Sequence, residues 1–242
     1  MSPELQHTHD RDLDRTSDSA DSTHELLSDL SEADRGPMAT VLVTVLEKVS
    51  GMTSGVLTNY VDNLREKNPE FNNHDIQKAL DKNFLRAVTG SGASAGMASA
   101  IPGVGLVVGS AAIGAESFLF LDFAASYALS SAYVRGIDID SPERRQAIIL
   151  AAVLGSEGNA LTDATFGGAS ITQVIKGANA QNMGYLNKIM MRSAVKRLRK
   201  SALFSWIGKL LPLGVGAMIG SVANRKLGRK VITHVESTLG TI

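Results

Sequence analysis

The chain has 242 residues, with 24 Lys+Arg balanced by 24 Asp+Glu, 44% hydrophobic residues, 5% aromatics and no cysteine. That length suits one good-sized helical domain. The missing cysteine excludes disulfide scaffolds, thiolate metal sites, iron–sulfur clusters and thiol nucleophiles.

The zero net charge is a cancellation, because charge is sorted along the chain. From Met1 to Gly36 ten acids stand against three bases, a net charge of −7. Ser, Thr, His and Asp recur there without apolar periodicity, so residues 1–36 are expected to be a disordered acidic tail with a short helix at His24 to Leu30. The tail lacks the basic start and continuous apolar run of a secretory signal, which makes the cytoplasm the expected compartment. His7 and His9 read as solvated side chains rather than metal ligands.

Between Met38 and Lys67, apolar residues at Val41, Val45, Val49, Met52, Val56, Tyr60 and Leu64 recur every three to four positions, which predicts one or two amphipathic helices. Pro69 and Asn72-Asn73 interrupt them. The next helix is expected to start near Asn73 and to bury Ile76, Leu80, Phe84 and Val88. From Ala87 to Val134 the only charged residues are Glu116 and Asp122. Within this block a central helix is predicted from about Gly105 to Arg135, with Gly136 as its C-terminal cap. The uncharged run Ala98 to Ala115 reaches the lower edge of a membrane-span signal, which Pro102 and several glycines weaken.

Ser141-Pro142-Glu143 is a helix start: a hydroxyl to accept from free backbone N–H groups, a proline suited to the first turn, and an acid at the positive end of the dipole. A helix to Leu154 follows. Gly155 to Gly168 reads as a loop or broken helix, and short helical pieces lead to Asn187. Basic and apolar positions then alternate in helical fashion from Lys188 to Leu211, and a last helix is expected from Gly214 to about Thr238. After Asp163 twelve bases face the single acid Glu236, a net charge of +11. A field of that sign attracts anionic membranes, nucleic acid or the protein's own acidic tail.

The most specific local feature is an internal echo. Residues 103–110 and 214–221 share the pattern G-V-G-x-x-x-G-S, each just after an aliphatic residue and a proline. On helices, Gly105 with Gly109 and Gly216 with Gly220 lie one turn apart and clear a stripe along which another helix backbone can approach. That stripe serves a soluble core, or a hairpin that enters lipid. No G-x-x-x-x-G-K-[ST] and no preceding strand accompany it, which argues against a phosphate-binding loop.

The Gly-rich approach from Thr89 to Gly105, the run Tyr133-Val134-Arg135-Gly136-Ile137-Asp138, the following Asp140-Ser141-Pro142-Glu143-Arg144, and the C-terminal Leu211-Pro212…Gly214…Gly216…Gly220…Asn224…Gly228-Arg229 together resemble the EcsC family of bacterial proteins. The resemblance covers about two-thirds of the chain and leaves the acidic tail outside. It implies an all-helical bacterial protein associated with membranes or transport, and no established reaction.

Glu116 and Asp122 are the buried polar candidates, since a carboxylate in an apolar helix is costly unless paired, hydrogen-bonded or protonated. Their six-residue separation puts them on different parts of the helix surface. An ion pair with a C-terminal Lys or Arg, or a place on the solvent face, is the preferred reading over catalysis. His74 and His234 stand outside any ligand spacing, and no hydrolase motif is present. The run Lys196, Arg197, Arg199 and Lys200, followed by Trp206 and Lys209, fits a helix lying on an anionic surface with the indole at headgroup level. It also fits an ordinary amphipathic helix with a solvated basic face. Nucleic acid is disfavoured by the scarcity of stacking aromatics and of any docking motif.

The expectation is therefore an all-α protein: a single compact helical domain, 37–242, with glycine-rich central and C-terminal helices, preceded by the acidic tail. It is expected to be non-enzymatic, without cofactor or metal, and to sit peripherally or partly inserted at the cytoplasmic membrane. Its partner would be an anionic membrane surface or a membrane protein, and a homo-oligomer is compatible with the sequence. The alternatives are a soluble interaction module whose acidic tail screens its basic surface, and an enzyme of unrecognised type.

Overall fold

The computed structural model describes residues 36–52, 54–90, 112–200 and 216–242, together with Ser28, Leu30 and Ser31. These residues form nine α-helices and no strand: α1 (Pro37–Gly51), α2 (Ser54–Lys67), α3 (Asn73–Gly90), α4 (Ala112–Val134), α5 (Pro142–Leu154), α6 (Ser156–Phe166), α7 (Ile171–Gly177), α8 (Ala180–Lys200) and α9 (Gly216–Leu239). The all-α expectation is met.

Two helices form the centre. Every residue of α4 from 121 to 132 is buried, as is every residue of α5 from 145 to 152. A helix that is apolar around its whole circumference must be wrapped by others to be stable in water. α4 is surrounded by α1, α2, α3, α5 and α9, and α5 by α1, α4, α6, α7, α8 and α9. Small residues on α4, among them Ala124, Ala125, Ala128 and Ala132, leave room for this crowding. Within α4 the stretch from Leu121 to Val134, except half-buried Tyr133, is thus enclosed by protein, while Phe118, Leu119 and Phe120 are half-buried. Among the described residues no single helix is long and apolar enough to cross a membrane; only α1 and α2 taken together, across a 76° bend, meet that length and hydropathy.

Local signals placed several helix ends. Asn72 Oδ1 accepts from the backbone N–H of His74 and Asp75 at 2.9 and 3.1 Å, which starts α3 where the Asn pair predicts. The four expected core positions of α3, Ile76, Leu80, Phe84 and Val88, are all buried. Phe84 stacks on Tyr127 of α4, with ring centroids 4.6 Å apart. Ser141 Oγ accepts from Arg144 N at the head of α5, with Pro142 in its first turn. Gly136 follows α4 at φ +68°, a left-handed cap that side-chain-bearing residues adopt reluctantly.

Two open expectations are resolved and one boundary, the start of α8, differs. The segment after Gly155 is mostly helix: the chain breaks at Gly155, at φ +59°, and resumes as α6. Polar Thr162 stays helical by returning its hydroxyl to Gly158 O at 2.9 Å, which satisfies it without a loop. α8 begins at Ala180, before the expected Lys188, with Asn179 Oδ1 accepting from Asn182 N. At the other end of the domain, α1 and α2 separate at Met52, whose ψ of 141° is extended.

Arg145 ties the centre together. It is 5% exposed and donates to Ile139 O, to Asp140 O and to Ser50 O in the last turn of α1. Carbonyls at a helix end have no partner within the helix, so a buried guanidinium there satisfies groups that would otherwise be stranded. Most of the acidic tail lies outside the described residues, but Leu30 is 3% exposed and belongs to the core.

Candidate functional site

The expected basic site divides into several fates. Lys196 of α8 is exposed. Arg197 turns back onto the protein, donating to Leu154 O and lying 3.6 Å from Glu157, so its charge is partly compensated. Arg199 and Lys200 fall in the last turn of α8, with only their backbone described. Trp206 and Lys209 lie outside the described residues.

A second basic surface appears on α9, at residues that pattern reading counted but did not single out. Arg225, Lys226, Arg229 and Lys230 are all exposed, while Gly228 between them is buried. Their i, i+1, i+4, i+5 spacing places four cations on one helical face, and that spacing was the signal available in the sequence. His234, one turn further along α9, lies within electrostatic reach of Arg197 on α8 and Lys230 on α9. Burial lowers its pKa, a hydrogen bond of Nδ1 to Ala152 O at 3.2 Å partly restores it, and the charges of Arg197 and Lys230 lower it again. Its imidazole is therefore held neutral at ordinary pH, between a cation of α8 and a cation of α9.

The glycines show a related shift. Gly105 and Gly109 lie outside the described residues, and Gly216 and Gly220 stand in the first turns of α9. The close approach that is observed occurs further on, at Gly228. A Cβ there would stand 2.9 Å from Val88 Cγ2 and 3.0 Å from Leu85 Cδ2, so the missing side chain is what lets α9 lie against α3. Gly216, Gly220, Asn224 and Gly228 follow at intervals of four, and the stripe of small residues continues to this contact.

Asp122 is 1% exposed and forms an ion pair with Lys48 of α1, Nζ standing 2.9 Å from each carboxylate oxygen. The partner is a lysine 74 residues earlier rather than a C-terminal cation, because α1 packs against α4. Burial raises the Asp122 pKa, and the hydrogen bond and charge of Lys48 oppose the rise. At 1% exposure and paired with Lys48, Asp122 is accounted for by a structural ion pair. Glu116 lies within α4, with only its backbone described.

A polar cluster links α3 to the end of α4. Tyr127 donates to Asp81 Oδ1 at 2.6 Å, and Gln77 Nε2 donates to Asp81, Tyr127 and Ser131. Arg135 closes it through Gln77 Oε1 and Ser131 O. Burial, then the Asp81 charge, pushes the Tyr127 phenol far above its ordinary range, so the hydroxyl is a fixed donor rather than a proton carrier. Beside this cluster a cleft of about 490 Å³ opens among the ends of α2, α4, α7 and α9. Among the described residues no group of three His, Asp or Glu is placed to hold a metal ion. Compared with family models, curated proteins and solved structures, the chain finds no match in any of the three.

Proposed function

We propose that this chain is a non-catalytic helical protein that docks on anionic membrane from the cytoplasmic side, through the basic faces of α8 and α9. The observation that carries this reading is the exposed row Arg225, Lys226, Arg229 and Lys230, set in a block of net charge +11. Each such cation near an anionic surface contributes about 1 kcal/mol, so the four together reach roughly 4 kcal/mol. Lys196 is a further exposed cation, on α8. The resemblance to the EcsC family, with its association with membranes, points the same way. Docking is peripheral, since α4 from Leu121 to Ala132 is held inside the domain.

Flotation with vesicles of neutral lipid, and of neutral lipid mixed with an anionic one, tests the proposal. The protein is expected to float only with the anionic vesicles and to leave them at high salt, where screening shortens the reach of surface charge to about 3 Å. Changing Arg225, Lys226, Arg229 and Lys230 to Gln is expected to abolish flotation. Protein that stays in the soluble fraction with both vesicles, or a quadruple variant that floats like its parent, overturns it.

Leu30 favours a second reading. Its burial anchors the end of the acidic segment on the domain, so a tail of net charge −7 is tethered to a remainder of +7 and can screen the basic face. Removing residues 1–27 leaves Leu30 in place and is expected to strengthen lipid binding at low salt. Unchanged binding counts against the screen.

A further inference from the structure

The cleft is separate from the basic row of α9. Lys230 and Leu239 are nine residues apart on that helix, about 13 Å along its axis. Three cations from three elements line the cleft: Arg65 of α2, Arg135 just beyond α4, and Lys176 in the last turn of α7. No acidic side chain is among its lining residues.

The donors of these cations are only partly used. Arg135 gives Nε to Gly240 O at 2.8 Å and Nη1 to Gln77 Oε1 and Ser131 O at 2.7 and 2.9 Å. Those bonds fix the guanidinium in place and leave Nη2 without a hydrogen bond among the described residues. Arg65 sets Nη1 on Asp62 at 2.9 Å, while its Nη2 reaches Asn73 Oδ1 only at 3.4 Å, the long limit of a hydrogen bond. Lys176 is exposed and makes no ion pair among the described residues. Leu239 and Ile242, the latter 44% exposed, add apolar surface to the lining.

A volume of about 490 Å³ falls within the range of small-molecule sites, which combine apolar walls with a few fixed polar groups. Planar guanidinium groups and an ammonium suit the oxygens of a phosphate. We propose that this cleft binds a phosphate monoester carrying a short alkyl stem, with the phosphate on Arg135, Arg65 and Lys176 and the stem against Leu239 and Ile242. The phosphate belongs to a soluble monoester or to the headgroup of a phosphorylated lipid such as phosphatidic acid, and competition separates the two.

The test titrates the full chain with hexyl phosphate, inorganic phosphate and hexanol, followed by calorimetry and by amide NMR shifts. Hexyl phosphate is expected to bind saturably, inorganic phosphate more weakly for want of the stem, and hexanol not at all. Lys176→Gln, at an exposed position where folding is not at stake, and Arg65→Gln are each expected to weaken hexyl phosphate about tenfold, the loss of one charge-assisted hydrogen bond. The quadruple Gln variant of the α9 row is expected to leave this binding unchanged, which keeps the cleft and the membrane reading independently testable. Displacement of hexyl phosphate by phosphatidic acid vesicles but not by phosphatidylserine vesicles assigns the lipid source, and failure of both to displace it assigns the soluble one. Absence of saturable hexyl phosphate binding, or binding that both single variants leave intact, overturns the proposal.

Discussion

Replacing Lys48 by Met isolates the charge that the interior must tolerate. Asp122 has 2% of its side chain exposed and Lys48 20%, so removing the ammonium strands a carboxylate that water cannot reach, while the lost lysine itself was partly solvated. Breaking a buried pair on one side costs about 3–5 kcal/mol, and the partial exposure of Lys48 places this case near the lower end, about 3 kcal/mol. For a domain of this size each kcal/mol lowers the melting temperature by about 2–4 °C, so the drop is expected to be roughly 6–12 °C. The sign of the pH dependence follows from the raised pKa of Asp122. The folded state holds this proton more tightly than the unfolded chain, so ionisation is a penalty that is absent below the ordinary value of 3.8 and develops as pH rises through the raised one. Without Lys48 the carboxyl is raised further, and the deficit of the variant is expected to shrink as the solution is acidified toward about pH 5. Circular dichroism melts at about pH 7.5 and pH 5 measure both effects, and the double change Lys48→Met with Asp122→Leu is expected to recover most of the loss because no buried charge remains. A Lys48→Met protein melting within about 2 °C of its parent at the higher pH, or a double variant no more stable than the single one, would refute the reasoning.

Three further outcomes are expected. Arg145→Leu strands the carbonyls of Ser50, Ile139 and Asp140 and is expected to lower stability by about 3 kcal/mol in urea unfolding, far more than the same change at exposed Arg86. Gly155→Ala meets a φ of +59° and places its Cβ 2.7 Å from two His234 ring carbons, so a loss of about 2 kcal/mol or more is expected in the same assay. His234, whose folded pKa lies below 6.5, binds its proton less well when folded. Its contribution is complete above pH 6.5 and is lost as pH falls through the lowered value, so the parent is expected to lose stability on acidification just below 6.5 and His234→Gln to lose less, by urea midpoints at matched pH.

The absence of strands among the described residues, the starts of α3 and α5, and the cap at Gly136 were legible in the order of residues, because helix propensity, Asn and Ser caps and a left-handed glycine act over four or five neighbours. Charge sorting was equally legible, since it requires only counting. What only the tertiary structure decided concerns residues far apart in the chain. Lys48 rather than a C-terminal cation neutralises Asp122, because α1 lies against α4. Arg197 is drawn toward Glu157 and the end of α5, while Arg225, Lys226, Arg229 and Lys230 stay in water. Arg65, Arg135 and Lys176 share a cleft although dozens of residues separate each from the next. Composition states how many charges the chain carries, and burial and distance, which arise only when helices pack, decide which are neutralised inside the domain and which are offered to a partner.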